Sequence, residues 1–328
     1  MPASFPGVQA TRAIIDTDPG IDDAAAILMG LGSPELRVEA LTTVFGNATV
    51  THSTLNTLRL LEAAGRPDIP VYQGVGKRYN FTDPTYAPQV HGADGFGDVP
   101  WPPPKTPPQR RHAVVELIDR ILGAPGEITV VALGRLSNLA LAISLEPQVA
   151  SAMRGLIVMG GAITVPGNAS PVASANLWGD PEAADIVYRS GAKIVQIGLD
   201  VCDQVEISAA QQRQVWQADT TATRLLQKLT PCLQASYRRR GLLRRPDSIR
   251  YNDVPAMAYA IDPSLFTCQQ AHVRIETQGQ LTRGQTVADL RGQGSAAPNV
   301  TVAFGVDAER LTDLWVERVG NFRSSRRA

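Results

Sequence analysis

Three cysteines in 328 residues, Cys202, Cys232 and Cys268, are too few and too irregularly spaced for a disulfide framework or a thiolate metal site. An odd number of unpaired thiols suits a reducing compartment, so a cytoplasmic location is expected. Neither sign of charge is in excess. Lys plus Arg and Asp plus Glu each number 31, which leaves no global field to attract nucleic acid or an anionic membrane, and neither is expected as a partner. No run of about 18 apolar residues occurs, and Met1 to Arg12 holds no apolar stretch of signal-peptide length. Internal repeats are absent too. What is present is a chain with 44% hydrophobic residues, long enough to bury a large core as one big α/β domain or as two.

Strand-like runs alternate with helical patterns along most of the chain, the signature of βα units and a largely parallel open sheet flanked by helices. Ala13 to Ile15 reads as the end of a buried strand, and Ala24 to Met29 as a helix that follows it. Val38 to Phe45, Ile69 to Gly74, Ile128 to Leu133, Gly155 to Met159 and Lys193 to Leu199 read as further strands. Residues 51–65, His112 to Leu122 and 208–240 read as helical, Ser137 is a plausible helix cap, and Leu311, Leu314, Trp315 and Val319 form a late helical stripe. Residues 78–109 lack periodicity and are rich in Pro and Gly, so a long loop is expected there, and loops of that length are usually functional or disordered.

The most informative stretch is Asp16-Thr17-Asp18-Pro19-Gly20-Ile21-Asp22-Asp23, four carboxylates within eight residues at a strand-to-helix junction. Open α/β sheets place their ligands at the carboxyl ends of strands. Like charges about 4 Å apart repel by roughly 4 kcal/mol at an effective dielectric near 20, and a helix N-terminus offsets only about 0.3–1 kcal/mol per charge. A divalent cation offsets far more, and an all-oxygen set suits calcium or magnesium rather than zinc. A capped helix start is the plain alternative. A phosphatase-type aspartate motif is disfavoured by Gly20 at its fifth position.

Asp16-x-Asp18-Pro19-Gly20-x-Asp22-Asp23-Ala24 resembles the signature of the inosine–uridine-preferring nucleoside hydrolase family. The likeness continues through His91-Gly92-Ala93-Asp94-Gly95, Gly134-Arg135-Leu136-Ser137-Asn138, Gly167-Asn168 to Asp180-Pro181-Glu182-Ala183-Ala184, and Asn252-Asp253-Val254-Pro255-Ala256. It runs from about residue 12 to about residue 320, which implies one Rossmann-like domain spanning 1–328, with Arg323 to Arg327 in a disordered tail.

The resemblance implies Ca²⁺-dependent hydrolysis of the N-glycosidic bond of a ribonucleoside, giving ribose and free base. The implied metal ligands are Asp18, Asp23, the carbonyl of Leu133 and Asp253. Asp18 is implied as general base, Asp16 as a buttress, and Asp200 as an orienting acid. Asp22, Asn47, Met159, Asn168, Ser174 and Asn176 are the implied substrate contacts, with Tyr237 near the base, and family members are commonly homodimers or homotetramers. His91 is the one histidine that can be placed near the site, touching base or ribose and covering in part for a missing proton donor. Two departures stand out: Ser174 replaces the family's Glu, and Asn252 replaces a His credited with protonating the leaving base. Asn252 therefore occupies the catalytic position without being able to titrate. These departures leave open a modified or 5′-phosphorylated riboside as substrate, served by the cluster Arg238, Arg239, Arg240, Arg244 and Arg245, or a catalytically impaired calcium-dependent nucleoside binder.

Overall fold

In the computed structural model, residues 10–291 and 296–321 are described; the tail from Arg323 to Arg327 lies outside them. The first strand shows why a sheet covered on both faces forms. Ile14 and Ile15 are both fully buried, yet they belong to two different core clusters, Ile14 under the helix Ala113–Gly123 and Ile15 under the helix Ile21–Leu31. Successive strand residues point to opposite faces, so a continuous apolar run fits only a strand sandwiched between two helical layers.

The strands are β1 (Thr11–Thr17), β2 (Leu36–Thr43), β3 (Val71–Gln73), β4 (Ile128–Ala132), β5 (Gly155–Met159), β6 (Ile194–Ile197), β7 (Phe266–Ala271), β8 (Val273–Ile275), β9 (Thr286–Ala288) and β10 (Val300–Val306). Eight of them form one sheet in the order β3-β2-β1-β4-β5-β6-β10-β7. Every pairing is parallel except β10 with β7, at one edge. The largely parallel open sheet expected from the sequence is what forms. β8 and β9 make a separate antiparallel ribbon, so the late segment around Thr286 does not join the main sheet. Its hydroxyl instead bonds both the N–H and the carbonyl of Ala162, in the turn after β5.

From β1 the chain runs outward through β2 and β3, then crosses back to place β4 on the other side of β1. That reversal opens a crevice between the carboxyl ends of β1 and β4, the usual ligand position in such sheets. Asp18 follows one of these strands and Leu133 the other.

Two local expectations change. Ser137 is the first helical residue of Ser137–Leu145 rather than its cap, and no side chain caps that helix. Its hydroxyl donates to Asp180, which caps the helix Pro181–Arg189. A hydroxyl beside a buried carboxylate gains more from that charged acceptor than from an amide N–H. Within the long loop, Pro88–His91 forms a short helical turn. It ends at Gly92, where φ is +77° and a side chain would strike the backbone of Gly97 and Asp98.

Candidate active site

Asp23 sits at the start of the helix Ile21–Leu31 with both carboxylate oxygens engaged. Oδ1 accepts from the Thr17 hydroxyl at 2.5 Å, and Oδ2 accepts from the Gly20 N–H at 2.9 Å and the Asn47 amide at 3.1 Å. This aims the carboxylate back into the crevice. Asp18, one residue past β1, accepts the Asn47 N–H at 2.8 Å through Oδ2, while its Oδ1 is buried without a partner. Only glycines can flank it: a Cβ on Gly46 would lie 1.6 Å from Asp18 Oδ2, and one on Gly134 would lie 2.6 Å from Oδ1. Asp253 enters from the start of the helix Val254–Ile261.

Asp22, Asp23 and Asp253 each bring one oxygen to within 4.8 Å of the others. The resemblance put Asp18 rather than Asp22 in the metal set; here Asp18 approaches from the Leu133 side. All four carboxylates are buried, and burial pushes every one of them above the ordinary range, Asp22 to about 6. Mutual repulsion adds to this for Asp18, Asp23 and Asp253. The buried Asp22 Oδ1 also accepts no hydrogen bond, with His91 Nδ1 3.8 Å away. Hard oxygen donors, crowded, buried and incompletely hydrogen-bonded, fit a hard divalent cation.

Asp16 stays behind this group. Its Oδ1 accepts from Thr42 at 2.6 Å and Asn138 at 2.7 Å, and burial raises it to about 7. Asp200 holds the turn after β5 by accepting from the N–H groups of Ile163 and Thr164 and from the Thr164 hydroxyl.

Asp18, Asp22, Asp23 and Asp253 line a cleft of about 390 Å³ that also admits Asn47, His91, Leu133, Met159, Asn168, Ser174, Asn176, Tyr237 and Asn252. The residues implied as metal ligands, substrate contacts and catalytic groups therefore share one cavity, whereas Asp16, Asp200 and every arginine of the cluster but Arg240 lie outside its lining. The Asn176 amide donates to the Leu133 carbonyl at 2.5 Å and to the Met159 carbonyl at 3.0 Å. Asn168 accepts the Ala175 N–H at 2.8 Å, and the Ser174 hydroxyl accepts from the Gly161 N–H at 2.7 Å. The Ser174 oxygen is thus engaged by the backbone, while its O–H remains available to donate.

His91 is held in the cleft wall by the backbone of the first helix. Its Nδ1 accepts from the Ile21 N–H at 3.2 Å, and burial lowers it to about 4. It stays neutral at physiological pH, and only Nε2–H is left to donate. Asn252 donates its amide to the Tyr237 hydroxyl at 2.9 Å.

Residues 13–313 match the family model described as inosine–uridine preferring nucleoside hydrolase. The chain belongs to that family. It is thus an enzyme of the ribonucleoside hydrolase class. A probable uridine nucleosidase 2 of Arabidopsis thaliana is 40% identical over 316 residues, covering 94% of this chain and 97% of the relative. The solved structure of a plant nucleoside hydrolase superposes with a TM-score of 0.90 at 38% identity, over 95% of this chain and all of that one. A purine-preferring ribonucleoside hydrolase from Gardnerella vaginalis gives the same TM-score at 29% identity, over 96% of this chain and 99% of that one. Among the described residues, no helix of this nucleoside hydrolase is long and apolar enough to cross a membrane.

The sequence reading missed one prominent member of the cleft. Arg135 is buried, lies 4.6 Å over the Phe45 ring, and donates to the carbonyls of Thr85 at 2.6 Å and Gly46 at 3.4 Å. Burial lowers it to about 10, against the opposing pull of Asp18. The available signal was a long basic side chain directly after Gly134 in an otherwise apolar strand–helix junction.

Proposed function

We propose that this hydrolase cleaves the N-glycosidic bond of ribonucleosides, uridine among them, in a Ca²⁺-dependent reaction that releases ribose and the free base. The observation that carries the metal requirement is the burial of four carboxylates in one crevice, two of them with an oxygen that accepts no hydrogen bond. Asp18, Asp23, Asp253 and the Leu133 carbonyl would hold the ion, with Asp22 beside them. When bound, such a cation keeps these acids ionised, lowers the pKa of a water and anchors sugar hydroxyls.

The residues around it divide the remaining work. Asp18 Oδ1, free of other partners, accepts the proton of the attacking water. Asp22, Asn47, Asn168 and Asn176 grip the ribose with acceptors and amides that suit its hydroxyls, and the carboxylates favour the positive charge that develops on the sugar. Asp16, bonded to Thr42 and Asn138, keeps the floor rigid. Uridine enters the reading through the 40% identical Arabidopsis relative named a uridine nucleosidase.

A second reading has one observation behind it. Arg240 lines the cleft and donates to the Asn168 carbonyl at 3.0 Å, on a wall where Ser174 supplies no carboxylate. That wall suits a 5′-phosphorylated riboside. The other arginines of the cluster face elsewhere: Arg238 bonds Pro246 and Arg244 bonds Asp203.

One screen tests both readings. Free-base release is measured from uridine, inosine, cytidine, adenosine and uridine 5′-monophosphate, with and without a calcium chelator. Chelator-sensitive release from a free nucleoside is expected. Release that ignores the chelator removes the metal requirement, and turnover of the monophosphate alone replaces the first reading with the second.

A further inference from the structure

One wall of the cleft, between β5 and the short helix Ala175–Gly179, has hydrogens to give and its oxygens already engaged. Asn168 uses its side-chain oxygen to accept the Ala175 N–H at 2.8 Å, and the Ser174 oxygen accepts the Gly161 N–H at 2.7 Å. The partner in each case is a backbone N–H, which can only donate. What remains is the Asn168 amide nitrogen and the Ser174 hydroxyl hydrogen, both donors. Arg240 lines the same wall, donates to the Asn168 carbonyl at 3.0 Å and has further N–H groups to offer. Among the described residues, no group accepts any of these remaining hydrogens. The wall is therefore polar in one sense only.

We infer that Asn168, Ser174 and Arg240 form a subsite that reads the oxygen on C5′ as a hydrogen-bond acceptor and makes no use of its hydrogen, so that 5′-O-substituted ribonucleosides are substrates alongside free ones. This rests on the ribonucleoside hydrolase reading above. The carboxylates beyond β1 and β4 take the 2′,3′-diol. In a furanose C1′ lies beyond C2′ and C4′ beyond C3′, so the base and C5′ leave the diol in opposite directions. Val90 and Tyr237 supply the apolar surface that a planar base needs. C5′ is then left for the wall of Asn168 and Ser174, where the only other side chains from this stretch of chain before Asn176 are the methyl groups of Ala169 and Ala175.

Ser174 is the residue that sets this preference. A carboxylate at that position would accept the hydrogen of a free 5′-hydroxyl, and an ether oxygen, with no hydrogen to give, would leave the carboxylate unpaired and repel it. Sites built around such a bond reject the analogue that lacks it, because the buried group pays the full cost of desolvation. Ser174 inverts the demand. Its hydroxyl needs a lone pair opposite it, which an ether oxygen supplies as well as a hydroxyl does, and a bare methyl at C5′ supplies none.

The test compares uridine, 5′-O-methyluridine and 5′-deoxyuridine on the same enzyme. The methyl ether is expected to keep kcat/KM within about threefold of uridine, and the deoxy compound to fall about tenfold or more below both, the loss of one hydrogen bond. Asn168→Asp keeps the bond to the Ala175 N–H but replaces the unspent amide with a carboxylate oxygen, so it should favour uridine over the ether by about tenfold. Ser174→Ala should narrow the gap between the ether and the deoxy compound. Each result is a ratio between substrates on one protein, so a variant that is only partly folded still reports it. A preference of the unaltered enzyme for uridine over the ether beyond about threefold, an ether no better than the deoxy compound, or ratios unmoved by both substitutions would overturn the assignment. Failure on all three substrates would overturn the hydrolase reading itself, and this inference with it, whereas turnover of uridine alone sinks only the inference.

Discussion

The amide of Asn138 donates to Asp16 Oδ1 at 2.7 Å, joining residues 122 positions apart at the crevice between β1 and β4. The same amide reaches the Thr43 carbonyl at 3.0 Å, and its oxygen accepts the Val75 N–H at 2.9 Å. One buried side chain thus ties the end of β1 to β2 and to the segment after β3. Asn138→Leu removes all three bonds and leaves a buried carboxylate with one partner fewer. A loss of about 2–4 kcal/mol in unfolding free energy is expected, read as a lower urea midpoint with an unchanged slope.

Metal binding should register as stability as well as activity. Calcium at about 100 times its dissociation constant adds roughly 2.7 kcal/mol to a protein that binds it only when folded. A thermal melt with and without calcium should show the rise for the unaltered chain and none for Asp23→Ala or Asp253→Ala. Persistence of the shift in both variants would place the ion elsewhere.

The metal-free protein should lose stability as pH rises. Burial holds Asp22 up to about 6 and Asp16 up to about 7, whereas an unfolded Asp ionises near 3.9. Between roughly pH 4 and pH 7 the folded chain therefore binds more protons than the unfolded one, and unfolding free energy falls with increasing pH across that window. Denaturation in chelator at pH 5 and pH 8 should show the lower midpoint at pH 8. Calcium should recover more stability at pH 8 than at pH 5, because the ion must displace protons that are still bound at the lower pH.

Arg135 braces the cleft from the side of the long loop. Arg135→Leu removes its bond to Thr85 and leaves Asp18 without its nearby cation. The expected cost is about 1–3 kcal/mol of stability, a raised KM for uridine, and faster proteolysis near Thr85. An unchanged cleavage rate in that loop would show that Arg135 does not hold it.

The sequence alone determined the alternating β/α order, the buried central strand and the crowding of Asp16, Asp18, Asp22 and Asp23. These are local facts: apolar runs, a Pro-Gly break and charge spacing are each contained within a dozen residues. The family motifs extended that reading to Asn47, His91, Leu133, Met159, Asn168, Ser174, Asn176, Asn252 and Asp253, which the fold gathers into one cleft.

Only the tertiary structure decided how those groups face one another. It left Asp18 Oδ1 unpartnered, kept His91 neutral by burial, aimed the Gly161 N–H at the Ser174 oxygen, and set Arg135 against Phe45. It also turned the Asn252 amide onto the oxygen of Tyr237. None of this has a sequence signature, because hydrogen-bond direction and desolvation depend on neighbours brought in from 13 to more than 100 residues away, and both are fixed only once the strands are in register.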